Sequence, residues 1–220
     1  MLIAIDGPAA SGKGTVSKQI AAHFGLEYLD TGRLYRLVGF NLLKQIKPDE
    51  KKSSAPQFLS SSVPLAIRIA QNLNLSNINS EELETEEVGA AASIVSAIPE
   101  VRASLLEFQR NISKSPKGAV LDGRDIGTVV CPNADFKFYI TAQPEARAKR
   151  RFLQLQLRNK NVKEADILRD IIVRDERDSG RKIAPLIPAM DAIYIDTTNM
   201  GIEQVFEKVQ GVINGSQRKC

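Results

Sequence analysis

The chain opens on LIAID (residues 2–6), continues through GPAASGKGT (7–15), and then enters VSKQIAAHFG (16–25). The first run is short, apolar and ended by Gly7-Pro8, which predicts a strand buried on both faces. In the third, Val16, Ile20 and Phe24 recur at helical spacing and Gly25 stands where a helix C-terminal cap is expected. Strand, glycine loop, helix is the context that gives G-x-x-x-x-G-K (Gly7, Gly12, Lys13) its meaning. Such a loop turns successive backbone N–H groups toward one point at a helix N-terminus, where the helix dipole favours an anion. Gly7, Pro8, Ala9, Ala10, Ser11, Gly12, Lys13, Gly14 and Thr15 are therefore the expected nucleotide phosphate-binding loop, with Lys13 its mobile cation.

Gly14 occupies the position after the lysine where such loops usually carry Ser or Thr, and the hydroxyl moves to Thr15. Thr15 and Asp122, the acid that ends the apolar run AVLD (119–122), are the candidate Mg2+ ligands, directly or through water. A carboxylate at a strand end suits this ion, which keeps several of its waters.

Further along, GAVLDGRDIGTVV (118–130) reads as a buried strand entering a turn that carries Arg124 and two acids. DFKFYITA (135–142) and AIYIDTT (192–198) read as strands, and GIEQVFEKVQGVI (201–213) as a closing amphipathic helix. Two helices are expected at EEVGAAASIVSA (86–97) and PEVRASLLEFQRNIS (99–113), with Pro99 opening the second. Strands alternating with helices make an α/β fold on a parallel sheet covered on both faces. Residues 44–87 lose this pattern, and the expectation there is an inserted mobile segment rather than a second core.

Composition narrows the function. The net charge of +4 admits anionic partners, but four tyrosines and no tryptophan leave little for stacking bases. The arginines gather in the second half, many beside acids, which suits a phosphate-handling pocket and no nucleic-acid groove. No apolar run approaches the roughly 20 residues of a membrane span. Two cysteines, Cys131 and Cys220, make neither a disulfide framework nor a metal cluster, and the expected setting is a reducing cytoplasm. The single histidine, His23, is expected to be structural.

The loop's GKGT, together with LDTGRLYR (29–36), ASIVSAIPEVR (92–102), DGRDIGTVV (122–130) and RDERDSGRKIAPLIPA (174–189), resembles the bacterial cytidylate kinase family, within the nucleoside monophosphate kinases. These blocks run in order from end to end of the chain, with 44–87 the weakest match. The resemblance implies one P-loop NTPase-type kinase domain over residues 1–220, built on a five-stranded parallel sheet flanked by helices. Its core would be about 1–30, 116–142 and 183–220, with an inserted monophosphate-binding lobe at about 31–115 and a short helical lid at about 143–182.

The resemblance implies transfer of phosphate from ATP to CMP and dCMP, with Mg2+; a monomer is the default expectation, and on composition neither nucleic acid nor membrane is an expected partner. Lys13, Arg124, Arg174 and Arg181 would be catalytic, surrounding the migrating phosphoryl group. Thr31, Tyr35, Arg36, Ser93, Arg102, Arg124, Asp125, Asp178 and Arg181 would hold CMP. In that set Thr31, Ser93, Arg102 and Asp125 would read the base and Asp178 the ribose. Thr31 stands where the family commonly has Ser. Arg147, Arg150 and Arg151 begin a basic helical stretch, AKRRFLQLQLRNKNVKEADI (148–167). Arg147 and Arg151, one turn apart, are the candidates to cover the ATP phosphates. Two alternatives stay open: a kinase of another monophosphate, UMP or AMP, and a P-loop nucleotide switch. A guanine-reading N-K-x-D does not occur in the chain.

Overall fold

The computed structural model describes residues 1–46, 55–73, 80–157 and 162–217, so Cys220 lies outside the described residues. The chain divides into two compact units, Met1–Leu29 with Ile112–Cys220, and Asp30–Asn111. In chain order the elements are β1 (Leu2–Asp6), α1 (Lys13–Phe24), β2 (Glu27–Asp30), α2 (Thr31–Gln45), α3 (Ala55–Gln71) and α4 (Ser80–Leu83). There follow α5 (Glu86–Val95), α6 (Pro99–Ser113), β3 (Ala119–Gly123), a π-helical turn (Ile126–Val130) and β4 (Phe136–Thr141). The last are α7 (Pro144–Gln156), α8 (Glu164–Ser179), β5 (Ile193–Asp196) and α9 (Ile202–Gln217).

The strands form one five-stranded sheet in the order β2-β3-β1-β4-β5. β1 pairs in parallel with β3 and β4, and β4 in parallel with β5. β1 is central, which is why LIAID is apolar on both sides. Residues sharing a rung point to the same face, so Ile3, Ile5, Val120, Phe138, Ile140 and Ile195 make one apolar surface. Val16 and Ile20 of α1 and Val205, Val209 and Ile213 of α9 close over it. Each of these fully buried side chains contributes about 1.5–3 kcal/mol. Gly25 caps α1 in a left-handed conformation (φ 65°), its N–H donating to Ala21 and Ala22 carbonyls. β2 is an edge strand of four residues, Glu-Tyr-Leu-Asp, too short and too polar to stand out in the sequence.

Asp30–Asn111 has a core of its own, contrary to the expectation of a mobile insert at 44–87. Leu34, Val38 and Leu42 of α2 pack with Ala66 and Ala70 of α3, Ala92 and Val95 of α5, and Val101 and Leu105 of α6. Helix α3 forms despite its serines and an internal proline, Pro64. Val63, Ala66, Ile67 and Ala70 recur at i, i+3, i+4 and i+7, and this stripe supplies the packing that offsets the hydrogen bond Pro64 cannot make. The basic stretch after Arg147 also differs from expectation. It is two helices, α7 and α8, joined through Ala148, Leu155, Ile167 and Ile171, with the polar run RNKNVK between them.

Helices α2 and α5 approach closely at Gly39, where a Cβ would lie 2.9 Å from the Ala92 nitrogen and 3.0 Å from the Ala91 Cβ. Gly39→Ala should therefore cost about 1–3 kcal/mol of stability, read as a lower urea midpoint at unchanged slope. Parent-like stability would show that the two helices have room to separate.

Candidate functional site

The phosphate loop leaves β1 at Asp6 and enters α1 at Lys13. Gly7 cannot be replaced, because a Cβ there would stand 2.0 Å from the Ile140 carbonyl oxygen of β4. Gly12 precedes α1 in the left-handed region (φ 88°) and offers no side-chain cap to this helix N-terminus, where the dipole favours an anion; the Thr15 N–H donates to the Gly12 carbonyl at 3.2 Å. Lys13 is buried, with Nζ 3.4 Å from the Pro8 carbonyl it donates to across the loop. Thr15 is exposed on α1.

Asp6, the last residue of β1, fixes where this loop begins. Its two carboxylate oxygens accept the N–H groups of Ile126 (2.8 Å) and Gly127 (2.7 Å). The end of the phosphate-loop strand is thereby tied to the turn that follows β3. That turn is π-helical, with the Cys131 N–H donating to the Ile126 carbonyl at 2.7 Å. It presents Arg124 and the buried Asp125. Burial pushes the Asp6 carboxyl up to about 7, against the two backbone hydrogen bonds that favour its anion. Asp125 adds to the rise and Lys13 opposes it.

Asp122 leaves β3 on the side facing α1. It accepts the Tyr28 hydroxyl at 2.6 Å, and a Cβ on Gly14 would lie 3.5 Å from its Oδ2. The glycine that departs from the usual loop pattern thus faces Asp122, at a distance where a Cβ would make an ordinary contact.

The arginine cluster is organised by Asp178 on α8, a carboxylate only 1% exposed. Arg124 Nε donates to Oδ2 at 2.9 Å, and Arg181 pairs with Oδ1. Burial alone would raise the Asp178 pKa, but the guanidinium groups of Arg124, Arg181 and Arg174 outweigh it and hold the carboxyl below its ordinary range. Two of the four expected catalytic cations, Arg124 and Arg181, therefore pair with one acid in the unit that carries Lys13, and the charge of a third, Arg174, acts on the same carboxylate.

The basic helix α7 uses its arginines in different ways. Arg147 is buried and donates to the Ala142 and Ala9 carbonyls (2.8 and 3.1 Å) and to Asp175 of α8. Arg150 donates to the Thr197 hydroxyl (3.0 Å), the Thr197 carbonyl and the Met200 carbonyl. Arg151, half-exposed, donates to Gln154. Arg177 is half-buried on α8. His23 packs edge-on against Phe24 and Phe206 and meets Gln210, a structural role.

Thr31, Tyr35, Arg36, Ser93 and Arg102 all lie within the unit Asp30–Asn111. Thr31 is the buried first residue of α2, behind a cap in which the Asp30 side chain accepts the Arg33 N–H. The Arg102 guanidinium lies 5.5 Å from the centre of the Tyr35 ring and donates to the Ser96 carbonyl. Ser93 is buried on α5. Arg36 donates to the Leu83 carbonyl at 2.7 Å, beside the open face of Gly89. Sequence reasoning did not single out Asp6, Asp175 or Thr197. The position of Asp6 directly before Gly7 was the available signal; the other two act through partners distant in sequence.

Asp6 gives stability a pH dependence. Its carboxyl titrates near 7 folded against 3.8 unfolded, so the folded chain holds the extra proton between those values. This contribution is complete below 3.8 and is lost as pH rises through 7. Urea unfolding from pH 4 to 7 should show the stability of the parent relative to Asp6→Asn falling as pH rises. A constant difference would place the Asp6 carboxyl in its ordinary range.

A family model described as cytidylate kinase matches residues 3–215. A cytidylate kinase of Azorhizobium caulinodans is 47% identical over 213 residues, covering 97% of this chain and 98% of its own. One from Rhodopseudomonas palustris is 49% identical over 203 residues, covering 92% of this chain and 91% of its own. A solved structure from Eubacterium ventriosum shares the fold at a TM-score of 0.56 and 12% identity, covering 97% of this chain and 98% of that one. The glycine loop, the DGRDIG turn and the arginine-bearing α8 lie inside a match of nearly the whole chain, and on that footing the protein belongs to the cytidylate kinase family.

Proposed function

We propose that the chain transfers the γ-phosphoryl group of ATP to CMP and dCMP, giving ADP with CDP or dCDP. The observation that carries this reading is the placement of Lys13, Asp122 and the Arg124–Asp178–Arg181 cluster in one unit, around the end of β1. Phosphoryl transfer asks little covalent chemistry of a protein; it asks for positioned cations around a group passing between two anions. Lys13 and the loop N–H groups hold the donor phosphates. Arg124, Arg174 and Arg181 receive the migrating group and the acceptor phosphate, for which a planar guanidinium is suited.

Mg2+ fits the residues present. Gly14 brings the loop within contact distance of the Asp122 carboxylate, and Thr15 stands exposed one residue on. Asp122 and Thr15 would hold the ion, which neutralises phosphate charge when bound. Asp6 is a poor ligand by comparison, since its carboxyl is half protonated near neutrality and committed to Ile126 and Gly127.

Base choice supports CMP over UMP. Cytosine offers an N4 amino donor and an N3 acceptor; uracil offers an O4 acceptor and an N3–H donor. A carboxylate only accepts and a guanidinium only donates. Asp125 on cytosine N4 and Arg102 on N3 or O2 favour cytosine, while Thr31 and Ser93, with rotatable hydroxyls, discriminate least. Arg36 joins the acceptor-phosphate cations, Tyr35 backs the nucleotide beneath Arg102, and Asp178 contacts the ribose. Arg151, half-exposed on the basic helix, supplies a cation to ATP. The reading carries with it a monomer acting in the cytoplasm. Among the described residues no single helix is long and apolar enough to cross a membrane.

ADP release measured with and without each monophosphate tests this reading. CMP should raise ADP production sharply over ATP alone. Lys13→Ala should lower the CMP-dependent rate by a factor on the order of 10² with folding intact. A parent-like rate in that variant would remove the loop from catalysis.

Asp125→Asn tests base reading. Its amide can donate to uracil O4, and a mismatched buried polar group costs roughly 1–3 kcal/mol. The ratio of kcat/KM for CMP over UMP should shrink, chiefly through weaker CMP use. An unchanged ratio would take Asp125 out of the base site.

A further inference from the structure

Ala10 is a non-glycine residue in the left-handed region (φ 58°), in the middle of the phosphate loop. That conformation is costly for an L-residue and persists only where the surroundings hold it. Three contacts do so. Arg147 Nη1 donates to the Ala9 carbonyl at 3.1 Å, just before Ala10. The Thr197 hydroxyl donates to the Ser11 carbonyl at 3.2 Å, just after it, sharing its hydrogen with the Thr141 carbonyl at 3.0 Å. The Ala10 methyl packs on the cluster of Ala148, Leu155, Ile167 and Ile171 that joins α7 to α8.

Both donors are themselves fixed. Asp175 grips the far edge of the Arg147 guanidinium, and the Arg147 Nε is spent on the Ala142 carbonyl. Arg150 donates to the Thr197 oxygen at 3.0 Å, which turns the hydroxyl hydrogen away toward the Ser11 and Thr141 carbonyls. Arg147 and Arg150 both stand near the start of α7. In a trans peptide the C=O and the following N–H point in opposite directions. Pinning the Ala9 carbonyl sets the direction of the Ala10 N–H, and pinning the Ser11 carbonyl sets that of the Gly12 N–H.

We propose that Arg147, held by Asp175, and Thr197, held by Arg150, are positioning residues for ATP: they brace the phosphate loop by its carbonyls and aim the Ala10 and Gly12 N–H groups at the donor phosphates. Arg147 on this view acts through the loop, not by covering the phosphates. The proposal rests on the loop being the ATP site.

The test is steady-state kinetics of the full chain, with the KM for ATP and the KM for CMP measured separately, for Thr197→Val, Thr197→Ser and Asp175→Asn. Thr197→Val keeps the buried shape and removes the hydroxyl; Asp175→Asn keeps the shape and removes the charge that holds Arg147. Each should raise the KM for ATP about fivefold to tenfold, the worth of one buried hydrogen bond. The KM for CMP should stay within about twofold of the parent, and Thr197→Ser should behave as the parent. ATP KM values within about twofold of the parent in both variants, or an equal rise for CMP, would overturn the brace. Should Thr197→Val not fold, Asp175→Asn alone decides by the same two constants. Failure here leaves the Lys13→Ala result standing, so the brace and the ATP site are judged separately.

Discussion

The carboxyl of Asp6 is the point on which the arrangement turns. It ends the central strand, and its two oxygens hold the Ile126 and Gly127 N–H groups of the turn after the neighbouring strand. The loop that starts at Gly7 and the turn that presents Arg124 and Asp125 are thus located by one side chain. A buried carboxyl is costly when charged and cheaper when protonated, and burial moves this one to about 7. The sheet therefore sacrifices stability at neutral pH to keep two functional segments in fixed register.

The same bargain recurs with opposite sign at Asp178. Several guanidinium groups close together repel one another, and a fold that collects them needs an anion inside the cluster. Asp178 supplies it, buried and kept ionised by Arg124, Arg181 and Arg174. An ion pair of this kind adds little net stability once desolvation is counted. Its value lies in holding cations where phosphate charge will arrive. Asp175 and Arg147 repeat the device one residue after Arg174, behind the phosphate loop.

How much of this was legible in the sequence depended on how local each feature is. GPAASGKGT could be read because a strand, a glycine loop and a helix are adjacent in the chain and each follows from its own residues. The strand AVLD could be read because burial on both faces leaves an apolar run, and FKFYIT because its buried Phe138 and Ile140 alternate with half-buried residues. β2 could not, since four mixed residues become a strand only by pairing with the sheet. The helix Ala55–Gln71 was hidden by its serines and Pro64, although its apolar stripe at 63, 66, 67 and 70 was present. The basic stretch after Arg147 read as one helix because periodicity gives no account of where a polar run breaks it.

The sequence by itself determined the class of fold, the phosphate loop and the residue types that would meet phosphate, because backbone conformation and hydrophobic periodicity act over a few residues. Through the blocks it shares with relatives it also pointed to the family. Only the tertiary structure decided which arginines share an acid, which one is buried behind the loop, and that Thr197 reaches Ser11 from the far end of the chain. Those partnerships join residues up to 186 positions apart. Side-chain direction and charge pairing over such separations are set by how the sheet stacks its strands, and nothing in the local sequence encodes them.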